Sequence, residues 1–250
     1  MAAGGDHAAS EMRKTFVIDA FPESARRFGP GSVVVAVDVI RATTMATTAV
    51  SAGRRCFPVD SIHAAMARAR DLCDALIAGE INGQWFPGRD MDNSPAHLEK
   101  RSDIHRPLVL VSSSGTRLIM NGRGCDRLFL GCFRNSLSLG RYLISQQYEE
   151  IALIGAGSRG EFREEDQICC ARIAASLADA GYVPENETTV SIVRRWARAK
   201  PIDCLVSKSI EYLRRTGQLA DLHFILERVD DLDQTFILRN DEIVAVRPDT

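Results

Sequence analysis

Five apolar runs of this 250-residue chain end in side chains that can grip an anion or a cation. VVVAV (33–37) leads into Asp38, Arg41, Thr43 and Thr44, LIAG (76–79) into Glu80, and LVLV (108–111) into SSSGT, residues 112–116, with Arg117 next. LFLGCF (128–133) delivers Arg134 and Asn135, and IALI (151–154) delivers a glycine turn with Arg159, then Glu165 and Asp166. Taken singly, a Ser, Thr or Asn after a strand is usually a helix cap. Asp38 is harder to explain that way, since it closes a strongly apolar run where a carboxylate costs stability unless paired or metal-bound. Together, acids, hydroxyls and arginines describe a pocket for a divalent cation and a phosphate: carboxylate oxygens suit magnesium, and forked guanidinium groups suit phosphate oxygens.

The elements that must hold these residues follow from the apolar pattern. Strand-length runs at 15–21, 32–39, 55–59, 75–81, 107–113, 126–133 and 149–156 alternate with helical patterns such as TTMATTAVSAG, SIHAAMARARDLCD, GTRLIMNG, NSLSLGRYLISQQ and EEDQICCARIAASLADAG. Buried-looking strands alternating with helices predict a layered α/β/α fold on a largely parallel or mixed sheet. In such a sheet, ligands sit outside the carboxyl ends of the strands, where the residues above fall. After Gly181 the alternation stops: SIVRRWARA and PIDCLVSKSIEYLRRTG read as helices, QLADLHFILER follows, and TFILRNDEIVAVR reads as a hairpin at the sheet edge. The economical organisation is a mobile leader over residues 1–13 and one domain over 14–250.

Composition excludes several partners. A formal charge of −2 and the lack of a long basic run argue against nucleic acid, which demands a clustered cationic face. No run approaches the ~18 to 20 apolar residues of a membrane span, and the leader has no apolar stretch to act as a signal peptide, so the expected location is the cytoplasm. Seven cysteines without a C-x-x-C pair suggest neither a disulfide framework nor a zinc knuckle. The expected partner is a small phosphate ester, and a homodimer is left open.

Three motifs imitate other chemistries. Gly155, Gly157 and Gly160 spell G-x-G-x-x-G, but a dinucleotide fold needs a second strand ending in an acid about 20 residues on, and GYVPENETT reads as a polar loop. An NAD-dependent oxidoreductase is therefore the weakest reading. DMDNS (90–94) has the D-x-D of aspartate-nucleophile phosphatases without the strand before it, and GAGSRGEF lacks the Lys-Ser/Thr of a nucleotide P-loop.

The order of DVIRATT (38–44), GEINGQWFPGRDMDNSP (79–95), SSSGT (112–116), GCFRNS (131–136) and GAGSRGEFREED (155–166) resembles the signature blocks of the 2-phosphosulfolactate phosphatase family. The likeness covers roughly residues 30–180. It implies a Mg²⁺-dependent phosphomonoesterase that converts 2-phosphosulfolactate to sulfolactate and phosphate on the route to coenzyme M. Asp38, Glu80 and Asp166 are then the expected metal ligands and, with Arg41, the expected catalytic set. Thr43, Thr44, Asn93, Ser94, Ser114, Gly115, Thr116, Asn135, Gly157, Arg159 and Gly160 are the expected substrate contacts, and Arg89, Arg117 and Arg134 are further candidates for anionic groups. The family usually carries an asparagine at Ser114, a bulky apolar residue at Arg89 and a glycine at Asp92. Those departures keep open a second reading, an anion-binding homologue that has lost turnover.

Overall fold

The structure is a computed structural model and describes residues 13–246; residues 1–12 of the expected leader lie outside the described residues. Seven strands appear where the apolar runs predict them: β1 (Thr15–Ala20), β2 (Val33–Val37), β3 (Cys56–Val59), β4 (Leu76–Gly79), β5 (Leu108–Val111), β6 (Arg127–Gly131) and β7 (Glu150–Gly155). Between them run α1 (Ala42–Ser51), α2 (Ile62–Asp71), α3 (Pro95–Glu99), α4 (Gly115–Asn121) and α5 (Ser136–Ser145), and after β7 comes α6 (Glu164–Asp179). The short α3 was not anticipated, although Ser94 as cap and Pro95 at the first helical position are its signal.

The C-terminal third holds β8 (Val183–Pro184), α7 (Glu187–Trp196), α8 (Lys208–Arg215), α9 (Leu219–Glu227), β9 (Thr235–Arg239) and β10 (Glu242–Val246). The segment expected as one helix from Pro201 is a short 3₁₀ turn, Pro201–Val206, and then α8, because Ser207 breaks the run and caps the new helix through its side chain. Residues 183–184, expected in a polar loop, pair with β1 at the sheet edge, where Pro184 needs no outer partner.

The sheet order is β4-β5-β3-β10-β9-β6-β2-β7-β1-β8. Two parallel blocks, β4-β5-β3 and β6-β2-β7-β1-β8, are joined by the hairpin β9-β10, antiparallel to each neighbour. The hairpin therefore forms as expected but in the interior, not at the edge. Its composition explains the placement: Thr235, Phe236 and Ile237 are buried in succession, the mark of a strand covered on both faces. The two-residue turn is made by Asn240 and Asp241 at φ of 50° and 65°, the left-handed pair that a type I′ turn requires.

Helices cover both faces. Along β2, Val33, Val35 and Val37 pack with α5, α6 and α9, while Val34 and Ala36 pack with α1 and α4. That alternation is why VVVAV is apolar without interruption. Five of the seven cysteines are buried and none is paired, so they act as small core residues. No described helix is long and apolar enough to cross a membrane.

Candidate active site

The loops that follow β1, β2, β4, β5 and β7 converge with α8 around a cavity of about 850 Å³. Asp38, Arg41, Glu80, Asn93, Ser114, Gly157, Arg159, Gly160 and Asp166 all line it. Both parallel blocks contribute, Glu80 and Ser112–Ser114 from one and Asp38, the 157–160 turn and Asp166 from the other. In the ladder, β5 and β2 stand five places apart, about 24 Å in a flat sheet. Yet an added Cβ on Gly115, after β5, would lie 2.1 Å from Asp38 Oδ2, after β2. The twist of the sheet and the course of α4, which packs on both β3 and β2, bring the two strand ends together.

Asp38 is 7% exposed, and Thr43 fixes its backbone. Thr43 Oγ1 accepts the Asp38 N–H at 2.9 Å and lies 2.8 Å from the carbonyl oxygens of Asp38 and Gly131. Thr44 Oγ1 donates to the Val39 carbonyl at 2.8 Å. Both hydroxyls are committed to backbone, so these two residues shape the loop instead of meeting a ligand. Asp166 ties the β2 and β7 loops together, accepting from Val39 N at 2.9 Å and Gly157 N at 3.2 Å. Glu80 is held by Ser113, whose N–H and hydroxyl it accepts at 3.0 and 3.1 Å, and by Gly83 N.

A third buried acid stands next to Asp166 without lining the cavity. Glu165 opens α6 beside Asp166 and its Oε2 has no hydrogen-bond partner; the run of acids in EED was its signal. Burial, reinforced by the charges of Glu80 and Glu165, pushes the Asp38 carboxyl up to about 7. Burial, then Glu165 and Asp38, pushes Asp166 well above the usual carboxylate range. Glu165 is raised by burial too. The neighbouring arginines do not neutralise this cluster: Arg41 pairs with Asp221, and Arg163 with Glu161. A cavity wall of buried carboxylates without a paired cation suits a divalent ion. Among the described residues no three His, Cys, Asp or Glu side chains converge into a full metal cage. Magnesium does not demand one, since it keeps several waters and is commonly held by one or two carboxylates plus a substrate phosphate.

Arg41 enters the cavity from the start of α1 and is anchored by a residue the sequence did not single out. Asp221 of α9 takes Arg41 Nη1 at 2.6 Å on one oxygen, and Ser94 Oγ at 2.7 Å and Ala96 N at 3.1 Å on the other. An acid inside the apolar run LADLHFILE was the available signal. Ser94, expected as a substrate contact, is thus the cap of α3 and a prop for Asp221. Asn93 beside it lines the cavity with a buried, unpartnered Oδ1.

The SSSGT turn closes on itself. Ser112 Oγ accepts from Thr116 N at 3.0 Å, and Thr116 Oγ1 accepts from Ser112 N at 2.8 Å, so Thr116 is structural. Gly115 acts by lacking a side chain where Asp38 needs the space. Asn135 is buried away from the cavity, accepting from Cys132 N and donating to the Leu130 carbonyl, both at 3.0 Å. The G-x-G-x-x-G segment is a tight turn: Ser158 and Glu161 exchange backbone bonds of 2.8 and 3.0 Å around Arg159 and Gly160, at φ of 54° and 74°. The strand after α6 is two residues long and lies beside β1, not β7, so the dinucleotide arrangement is absent from the described residues.

The remaining arginines divide. Arg117 and Arg159 line the cavity, Arg117 paired with Glu23 at 3.0 Å. Arg134 does not; it makes a forked pair with Asp231 at 2.9 and 2.7 Å and reaches Thr48. Arg89 does not either, donating to the Gly79 carbonyl and pairing with Asp92, both at 2.6 Å. The two unusual residues of that block thus hold each other and brace its loop. Helices that the sequence left without a role supply the last wall, through Lys208, Tyr212 and Arg215 of α8.

A family profile described as 2-phosphosulpholactate phosphatase matches residues 20–240. A protein of Symbiobacterium thermophilum named probable 2-phosphosulfolactate phosphatase is 33% identical over 195 residues, 77% of either chain. Proteins of the same name from Caldicellulosiruptor saccharolyticus and Clostridium perfringens strain SM101 are 27% and 24% identical, covering 84% and 86% of this chain and 90% of their own.

Proposed function

The chain belongs to the 2-phosphosulpholactate phosphatase family, and from that membership and the cavity we propose that it is a Mg²⁺-dependent phosphomonoesterase of the cytoplasm that hydrolyses 2-phosphosulfolactate. The observation that carries the reading is the pair of buried acids, Asp38 and Asp166, that line one cavity together with Arg41 and form no ion pair among the described residues. Asp38, with Glu80 or Asp166, would hold the ion, which when bound supplies charge stabilisation for the phosphoryl oxygens. Arg41 binds the phosphate through the donors that Asp221 leaves free and spreads its charge over a guanidinium fork. Hydrogen bonds hold Asp166, Glu80 and Arg41 in place before substrate arrives, so little reorganisation accompanies reaction. Arg215 on α8 and Arg159 on the turn also line the cavity and supply the cationic groups that an ester with further anionic groups requires, whereas Lys208 is paired with Glu161 at 2.7 Å.

Phosphate release from 2-phosphosulfolactate, with and without Mg²⁺, tests this directly. Magnesium-stimulated turnover that exceeds turnover of an aryl phosphate supports it; no release from either substrate at saturating Mg²⁺ refutes it. Ser114, which lines the cavity where relatives usually carry asparagine, is the one feature that favours a binding protein without turnover. That reading expects sulfolactate and phosphate to bind while no ester is cleaved.

A further inference from the structure

We infer that Asp221 is a positioning residue for the reaction: it holds the Arg41 guanidinium toward the phosphate position and away from the buried acids. The inference rests on the reading of Arg41 as a phosphate-binding group. Both side chains are almost fully enclosed, 6% exposed for Arg41 and 2% for Asp221, and the pair lies 2.6 Å apart. Asp221 cannot swing to follow its partner, because its second oxygen is fixed by Ser94 Oγ and Ala96 N at the start of α3. One carboxylate therefore joins three separate elements, α1, α3 and α9, at a point just behind the cavity.

The geometry also poses a problem that Asp221 solves. Arg41 shares the cavity wall with Asp38, whose charge it feels, and a guanidinium beside unpaired carboxylates is drawn onto them. Collapse onto Asp38 would occupy the arginine donors and one cation-binding acid together. Anchored on Asp221 through Nη1, the guanidinium keeps its other N–H groups for a ligand, and an arginine has five. The pair is close to neutral overall, so its contribution is direction more than charge.

Binding of inorganic phosphate, measured calorimetrically at saturating MgCl₂, separates positioning from support of the fold. Charge-assisted hydrogen bonds to a phosphate make an expected loss of about tenfold to a hundredfold in affinity for Arg41→Ala. Asp221→Asn, nearly isosteric, should lose about tenfold, and in the Arg41→Ala background it should lose nothing further, since it acts only through that side chain. Thermal melting and circular dichroism establish that each variant is folded at the assay temperature. If Asp221→Asn fails to fold, Ser94→Ala removes one bond to Asp221 without leaving a charge unpaired. It should cost about threefold, and again only when Arg41 is present. A folded Asp221→Asn protein (or Ser94→Ala protein in its place) that binds phosphate as tightly as wild type overturns the inference. So do losses that multiply with Arg41→Ala. Full phosphate affinity in Arg41→Ala itself defeats the reading of Arg41, and with it the inference, while the first two results leave that reading intact.

Discussion

Replacing Gly115 by alanine adds a single methyl group at the point where the two halves of the site touch. Its Cβ would stand 2.1 Å from Asp38 Oδ2, 2.8 Å from Asp38 Cγ and 2.5 Å from Ala42 Cβ. Ordinary carbon–oxygen contacts begin near about 3.3 Å, so the carboxylate must retreat by more than about 1 Å. Asp38 borders open cavity and its carboxylate retreats, while the 2.5 Å contact with Ala42 Cβ also obliges the starts of α1 and α4 to move slightly apart. Overpacking of this kind costs about 1–3 kcal/mol, which leaves a protein of ordinary stability, about 5–15 kcal/mol, almost wholly folded. A displacement of about 1 Å in a reacting constellation, by contrast, costs on the order of 100-fold in rate. Gly115→Ala should therefore be a folded protein with kcat/KM lowered about a hundredfold. Initial rates on an aryl phosphate with Mg²⁺, paired with urea unfolding, measure both quantities. Gly160→Ala is the control, since its Cβ meets nothing within 4 Å although φ is +74°. It should lose about 1–2 kcal/mol of stability to left-handed strain and little activity. A folded Gly115→Ala enzyme within threefold of wild type would show that the Asp38 carboxylate position does not matter.

Asp38→Asn should lower kcat by about 10²- to 10⁴-fold while the protein stays folded, and wild-type turnover in that variant would remove Asp38 from the chemistry. The same residue sets a pH signature in chelator. Its carboxyl, raised from 3.8 in the unfolded chain to about 7 in the fold, binds more protons when native, so stability falls as pH rises through that window. Asp38→Asn should flatten the slope and raise Tm at pH 8; an unaltered slope in the variant contradicts the assignment. Arg89→Ala should cost about 1–3 kcal/mol through its lost bond to the Gly79 carbonyl, and should depress 2-phosphosulfolactate and aryl phosphate turnover equally, whereas a selective loss would place Arg89 at the ligand. Gly157→Val puts a Cβ 2.7 Å from the Glu161 carbonyl at a φ of 57°, so the turn should open and release Asp166; a crystal structure of the variant with the turn unchanged would refute this.

Much of this was legible in the sequence because it is local. Strand-length apolar runs specify the sheet, and a carboxylate closing VVVAV announces itself as costly wherever the chain goes. Thr43 and Thr44 show the limit, since which way a hydroxyl turns depends on how α1 docks against β2, and both turn to backbone. Arg89 and Asp92 stand three residues apart, the spacing at which side chains meet across one turn of chain, and so could have been read as a pair. Asp221 could not. Its partner lies 180 residues away in sequence, and only the passage of α9 behind α1 and α3 brings the two together. The interior position of the hairpin was hidden for a related reason: turn chemistry gives β9 and β10 to each other but says nothing of the strands outside them.

That hairpin works as a spacer shim. Among the described residues it is the only hydrogen-bonded ladder between the two parallel blocks, through one aligned pair on β3 and two on β6. Glu80 belongs to one block, Asp38 and Asp166 to the other; five strands stand between β4 and β2, and two of them are the inserted pair. The gauge of the cavity is thus cut in part by residues 235–246, none of which lines it. Swelling or thinning the core around Phe236 and Ile243 would reset how large a molecule the acids can close upon, with every loop that carries them left as it is.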